Sequence, residues 1–335
     1  MKKAVFLGAE NINNNVYSNE IKQKLRSQYE FDFDGTITDE SFEEFRGILN
    51  KAEYAFSTWG MPHLTKEQIM DYLPNLKAVF YAAGTVQKFA REFLECGISV
   101  FSAWAANAVP VAEYTFAQIV LASKGYFQRL HRQHLGDDWH HRNVPVDFPG
   151  AYEVKVGIIG AGMIGKMVIE KLKTLPGCRI MVYDPFLPDE RASELGVVKT
   201  TLDEVFSECD IISNHLADNE QTKKMLTGKH FDMMRRGAVF INTGRGAQVD
   251  EEGLISALEK DNTKVALLDV TMPEPPEKGS KIYLLDNIFL TPHIAGSIGN
   301  EVHRMSEYMF EESLKFDRGE PTRYSVTLKM LETMA

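Results

Sequence analysis

Three segments in the C-terminal half each deliver ionisable groups just after an apolar run. Arg245 closes Ala238-Val-Phe-Ile-Asn-Thr-Gly-Arg245, Asp269 and Glu274 follow Val265-Ala-Leu-Leu, and His293 follows Ile288-Phe-Leu-Thr-Pro. Short apolar runs of this kind read as buried strands. Open parallel sheets bind their ligands at the carboxyl ends of such strands. An arginine can grip a carboxylate through paired hydrogen bonds and polarise a carbonyl oxygen. A histidine exchanges protons near neutrality, and a neighbouring glutamate stabilises its charged form. Arg245, Glu274 and His293 are therefore expected to act together on an anionic carbonyl substrate.

A second pattern supplies the partner for such chemistry. Val156-Gly-Ile-Ile-Gly160-Ala-Gly162-Met163-Ile164-Gly165 carries Gly-x-Gly-x-x-Gly directly after one apolar run and ahead of a helical stretch, Lys166–Leu172. The first glycine permits a tight turn, the second lets backbone approach a pyrophosphate, and the third permits close helix–strand packing. Asp184 ends the next run, Arg179-Ile-Met-Val-Tyr-Asp184, followed by Pro185, 19 residues after Gly165. That spacing suits a carboxylate on the ribose 2′-OH, which favours NAD and disfavours the 2′-phosphate of NADP. Asp269 is expected to accept a hydrogen bond from the nicotinamide carboxamide. His215 and Leu216, at the end of Ile211-Ile-Ser-Asn, join Thr222, Thr243, Gly244, Ala295 and Gly296 in the expected cofactor pocket. His215 is read as a pocket residue, not as a second base.

These groups need a scaffold of alternating strands and helices. Ala4–Leu7, Ala52–Phe56, Leu76–Tyr81 and Ile98–Phe101 read as strands of a first sheet. Helices are expected at Asn15–Tyr29, Ser41–Leu49, Thr65–Leu73 and Val86–Leu94, with Thr65 and Gln68 as a capping box. Asn107–Lys124 reads as one long helix with Pro110 in its first turn. A second set of strands comprises Lys155–Ile159, Arg179–Tyr183, Ile211–Asn214, Ala238–Asn242, Val265–Val270 and Ile288–Leu290, closed by a helix at Asn300–Phe316. The fold class is α/β, with two doubly wound parallel-sheet domains. The expected organisation places 105–295, a Rossmann unit, inside a flavodoxin-like substrate domain made of 1–104 and 296–335. Residues 125–150 are polar and aromatic, and read as an arm.

Bulk composition narrows the classes. The net charge is -10 and no dense Lys/Arg tract appears, so nucleic-acid binding is not expected. Cys96, Cys178 and Cys209 form neither a Cys-x-x-Cys pair nor a zinc pattern, which fits a reducing cytosol and no metal. No run is long enough to span a membrane, and the N-terminal apolar stretch ends too soon at Glu10 for a signal peptide.

With these residues in view, the chain resembles the D-isomer-specific 2-hydroxyacid dehydrogenases over roughly residues 75–320. The resemblance implies catalytic roles for Arg245, Glu274 and His293. It implies a carboxylate-binding loop at Tyr81-Ala-Ala83-Gly84-Thr85, whose backbone amides hold the substrate, and a domain-crossing helix from Asn107 to Glu113. Asn107 is counted with the substrate-binding residues. It also implies a cytoplasmic homodimer, joined through that helix and the arm. The chain departs from the family at Ala217, where a proline is common, and at Val86, where an acidic residue is common. Glu274 argues against formate, because similar formate dehydrogenases carry glutamine there. The loop Ser57-Thr-Trp59-Gly-Met-Pro-His63 has no Lys or Arg, and no regulatory domain is expected after residue 335. Both argue against 3-phosphoglycerate and for an uncharged tail, with Trp59 as a wall; glyoxylate or hydroxypyruvate is the default substrate. The alternatives are a phosphoglycerate dehydrogenase-like enzyme and a non-enzymatic, NAD-sensing module like the resembling corepressors.

Overall fold

The computed structural model describes residues 1–134 and 148–332. Its strands, in chain order, are β1 (Lys2–Leu7), β2 (Tyr29–Glu30), β3 (Thr36–Ile37), β4 (Tyr54–Ser57), β5 (Ala78–Tyr81), β6 (Ser99–Ser102), β7 (Lys155–Ile159), β8 (Arg179–Tyr183), β9 (Val198–Lys199), β10 (Ile211–Asn214), β11 (Val239–Asn242), β12 (Val265–Leu268), β13 (Ile288–Leu290) and β14 (Ser325–Val326). They form two sheets in two compact units. Unit 1 is Met1–Ala108 with Ser297–Ala335, and unit 2 is Val109–Gly296. The first boundary falls inside the helix Trp104–Ser123.

Unit 1 orders its strands β14-β6-β5-β4-β1-β2, with β3 also paired to β1. All are parallel except β14, which runs antiparallel to β6. Val302, Met305 and Met309 line one face of the helix Glu301–Arg318 and pack with Phe56, Phe80 and Phe101. This three- and four-residue spacing is the apolar stripe of an amphipathic helix. Buried Glu312 on the same helix accepts from the backbone of Arg323 (2.7 Å) and Tyr324 (3.0 Å), which directs the chain into β14.

Unit 2 is wholly parallel, in the order β13-β12-β11-β10-β7-β8-β9. Alternate residues feed opposite cores: Ile212, Phe240 and Ala266 pack on one face, Ile211, Val239 and Val265 on the other. Burial on both faces explains why the central strands β10, β11 and β12 read as continuous apolar runs. Strand order reverses between β7 and β10, which opens a crevice at their carboxyl ends.

Some local expectations are corrected. The helix expected over Asn15–Tyr29 is two helices, Glu10–Val16 and Asn19–Gln28, because the Ser18 side chain accepts from Ile21 N and starts the second. Thr65 and Gln68 do form a capping box. Pro110 lies inside the helix Trp104–Ser123, which starts three residues earlier than expected. The helix expected over Val86–Leu94 is Ala90–Glu95, with Gln87–Phe89 in a turn. Of the 125–150 arm, Tyr126–His134 is helical, and residues 135–147 lie outside the described residues.

Candidate active site

The glycine turn sits at the crevice. Gly160 has φ +91°, and a Cβ there would stand 2.7 Å from the carbonyl oxygen of His215, so the β7 and β10 loops touch through it. A Cβ on Gly165 would stand 2.1 Å from Gly160 O. Gly162 has open space where a Cβ would be, and it caps the helix Met163–Leu172 without a side-chain bond. The helix start thus offers free N–H groups beside room for a phosphate. Met163 is exposed and Ile164 packs into the core. Asp184, after β8, accepts from Ala161 N and Phe186 N, each at 2.8 Å. The carboxylate is thereby fixed to the turn it serves, with Pro185 exposed beside it. A dinucleotide fits this arrangement: Gly160–Gly165 would hold its pyrophosphate and Asp184 its adenosine ribose.

His215 sits on the other lip. Its Nε2 pairs with Ser213 Oγ at 2.9 Å, and its Nδ1 is closed off with no partner among the described residues. Burial pushes this imidazole down to about 4, so it is neutral at physiological pH. Thr222 closes its own loop by donating to Ala217 O (2.7 Å) and Asn219 O (3.0 Å). Thr243 Oγ1 pairs with Thr115 Oγ1 at 3.1 Å.

The three candidate reacting groups follow β11, β12 and β13. His293 Nδ1 meets Glu274 Oε1 at 2.6 Å, and both side chains are nearly half exposed. Arg245 is half-buried, its Nη1 donating to Gly244 O at 2.8 Å. A Cβ on Gly246 would overlap the backbone of Thr271 at 2.0 Å, so the arginine loop packs against the segment leading to Glu274. His293 lies at φ +53°, a conformation uncommon for a non-glycine residue. Its N–H donates to Asp269 O and Thr291 O, both at 3.0 Å. Buried Asp269 accepts from Thr291 Oγ1 (2.6 Å), Ile294 N (2.8 Å) and Ala295 N (2.9 Å). Tyr114 OH meets Thr291 Oγ1 at 2.9 Å. Asp269 therefore holds the histidine loop, and a carboxylate with three bonds keeps capacity for a fourth. A pocket of about 400 Å3 opens beside the pair, walled by Pro275, Pro276, Tyr283, Leu290 and Pro292; its charged lining residues besides His293 are Asp269 and Glu274.

Within unit 1, the loop after β5 is pinned by its carbonyls. Thr58 Oγ1 donates to Ala82 O, and Ser102 Oγ donates to Ala83 O and Gly84 O. Ala83 N turns back on Tyr81 O at 2.9 Å, so it is committed. The Gly84 and Thr85 amides have no partner among the described residues. Asn107 lies next to Gly84, and its Oδ1 accepts from Ser297 N at 2.9 Å. Trp59 is half-buried and packs against both cores of the unit.

Sequence reading missed the roles of Tyr114, Asn214, Asn242 and Gln248. Each is an uncharged side chain whose work is to hold other residues or backbone; Asn242 alone stands in a stretch that carries the family resemblance, Asn242-Thr-Gly-Arg245-Gly, which does not give it this role.

The turn, the fixed acid and the parallel sheet define a dinucleotide-binding unit, whose sheet also carries the Glu274–His293 pair after β12 and β13. The chain belongs to the D-isomer specific 2-hydroxyacid dehydrogenase family. The family's NAD-binding domain matches residues 117–295. The chain is 30% identical over 259 residues to a glyoxylate reductase of Korarchaeum cryptofilum, covering 76% of each protein. It is 31% identical over 312 residues to a D-3-phosphoglycerate dehydrogenase of Methanocaldococcus jannaschii, covering 85% of this chain and 57% of that one. It spans about half the length of several phosphoglycerate dehydrogenases it matches. A phosphoglycerate oxidoreductase from Rhizobium etli shares the fold at TM-score 0.82 and 24% identity, over 99% of this chain and 100% of that one. Among the described residues, no helix is long and apolar enough to cross a membrane.

Proposed function

We propose that this chain is an NAD-dependent dehydrogenase interconverting a 2-oxo acid and a D-2-hydroxy acid. The observation that carries this reading is the 2.6 Å contact between Glu274 and His293, on the same sheet edge as the glycine turn. When bound, the cofactor supplies or accepts the hydride at C2. His293 Nε2, opposite the nitrogen held by Glu274, gives the proton to the carbonyl oxygen during reduction and takes it back during oxidation. Glu274 fixes the tautomer and the orientation of the ring. Arg245 gives up its bond to Gly244 O to grip the substrate carboxylate. Within unit 1, the Gly84 and Thr85 amides, rather than Ala83, are the proposed backbone donors to a carboxylate. Asp184 selects NAD, because a 2′-phosphate would meet its charge. A cytosolic homodimer belongs to the same proposal, and light scattering tests the dimer.

An uncharged substrate tail is favoured. The loop Ser57–His63 carries no Lys or Arg, and neither does the pocket beside Glu274 and His293. The phosphoglycerate dehydrogenase relatives favour a second reading, 3-phosphoglycerate. NADH oxidation across a panel of 2-oxo acids, with NAD reduction by 3-phosphoglycerate in parallel, decides between them. The expected result is turnover of glyoxylate or hydroxypyruvate with NADH, lost by at least a hundredfold in Arg245→Ala. Absence of turnover on every acid would refute the enzyme, and a clear preference for 3-phosphoglycerate would refute the uncharged tail.

A further inference from the structure

Gln248 is fully buried in unit 2, at the end of the short turn Gly246–Gln248. Its amide is saturated. Oε1 accepts from Asn214 Nδ2 at 2.6 Å and from Arg245 N at 3.2 Å. Nε2 donates to Leu216 O and Ala217 O, both at 2.9 Å. A primary amide has two acceptor sites and two donors, so none is left over. Two further buried amides extend the cluster. Asn214 Nδ2 also donates to Asn242 Oδ1 at 3.0 Å, and Asn214 Oδ1 accepts from Leu216 N at 3.2 Å. Asn242 Oδ1 accepts from Gly244 N at 3.0 Å, and Asn242 Nδ2 donates to Arg245 O at 3.2 Å. Gly244 is held so close that a Cβ on it would stand 2.8 Å from Gln248 Oε1.

Backbone contacts of these three amides thus go to two places: the loop that carries Arg245, and the Leu216–Ala217 lip beside the glycine turn. A buried hydrocarbon could fill the space but could hold neither loop. We propose that Gln248 is a positioning residue that locks the Arg245 loop and the Leu216–Ala217 lip into one unit. Dinucleotide affinity and carboxylate affinity are then set together by one side chain. The Arg245 half rests on the function proposed above; the lip half rests on the dinucleotide fit alone.

Two variants test this. Gln248→Met removes all four bonds at similar volume. Gln248→Glu keeps the acceptor facing Arg245 N but turns an oxygen toward two carbonyls. Loss of a buried hydrogen-bond partner corresponds to roughly ten- to a hundredfold in an equilibrium constant. Gln248→Met is therefore expected to raise the NADH Kd and the glyoxylate KM each by about tenfold or more. In Gln248→Glu, a protonated carboxyl can donate to a lip carbonyl and a carboxylate cannot. Its NADH Kd, relative to the unsubstituted protein, is expected to approach unity at low pH and to worsen as pH rises. A merely space-filling role would lower the melting temperature without that pH-dependent ratio. The proposal is overturned if folded Gln248→Met keeps both constants within twofold of the parent, if only one of the two moves, or if the Gln248→Glu ratio does not change with pH. If the parent protein turns over no 2-oxo acid, the functional reading fails. In that case NADH and oxamate titrations, read against the same twofold limit, still decide the role of Gln248.

Discussion

Asp269→Asn tests whether the carboxylate works by holding His293 in place. In the wild-type protein Oδ1 takes two donors, Thr291 Oγ1 and Ile294 N, and Oδ2 takes Ala295 N. An asparagine places its one oxygen where two donors converge. Its NH2 then faces the Ala295 N–H, donor against donor. A hydrogen bond to a charged group contributes about 1.5–3 kcal/mol, and stranding a buried N–H costs a comparable amount. These overlap, so the expected loss is about 3 kcal/mol. For a unit of this size that corresponds to a fall in melting temperature on the order of 10 °C. Release of the Ala295 amide also loosens the loop that holds His293 at φ +53°. A displaced proton donor costs up to about a hundredfold in rate. Calorimetry and steady-state kinetics on the same preparation give both numbers. A melting temperature within about 1 °C of wild type together with unchanged kcat would sink the clamp argument. A fall in kcat without a fall in melting temperature would show that Asp269 acts directly on the bound cofactor.

The other predictions are briefer. Glu274→Gln removes the charge beside His293 in an exposed pair, so stability should change by less than about 0.5 kcal/mol, while kcat for 2-oxo acid reduction falls about tenfold or more; equal turnover would remove Glu274 from the proton path. Gly246→Ala places a Cβ 2.0 Å from the Thr271 carbonyl carbon. It should lower both melting temperature and kcat/KM, and a variant with normal values for both would disprove the close packing of those loops. His215 gives a pH dependence: burial depresses its folded value to about 4, below the ordinary 6.5. The unfolded chain therefore takes up a proton that the folded chain refuses. This contribution to stability is full above about pH 6.5 and is lost as pH falls toward 4, amounting to about 3 kcal/mol across that window. Urea unfolding of wild type and His215→Asn at pH 7 and pH 4.5 measures it, and identical pH slopes in both would contradict the burial of the imidazole.

The sheets were readable from the sequence because parallel strands covered on both faces must be apolar throughout. Ile211–Asn214 and Ile288–Leu290 stand where their runs place them. The two-residue strands β2, β3, β9 and β14 were not readable. Tyr29–Glu30 and Ser325–Val326 are too short to carry a period, and their pairing is decided by what lies beside them. The break at Ser18 was missed for a related reason. A serine within a helical pattern becomes a cap only when its side chain turns to the N–H three residues on, as it does to Ile21.

The site divides along the same line. Gly160, Gly162, Gly165 and Asp184 stood out because a phosphate and a ribose would constrain backbone and charge at fixed spacing, and the structure brings them to one turn. Arg245, Glu274 and His293 stood out in the sequence because few residue types could do the proposed chemistry, and the structure pairs Glu274 with His293. The side chains that hold them did not stand out. Asp269 carries a charge and was noticed, but its principal contacts are to the backbone of Ile294 and Ala295 and to Thr291, which no spacing rule encodes. Gln248 resembles any polar residue of a surface turn, yet it is fully buried with every donor and acceptor satisfied. A buried amide is tolerated only when its bonds are complete. Completeness depends on the carbonyls of Leu216 and Ala217 arriving from another strand end. A reactive group is therefore visible in one dimension, whereas the group that aims it becomes visible only once the strands are side by side.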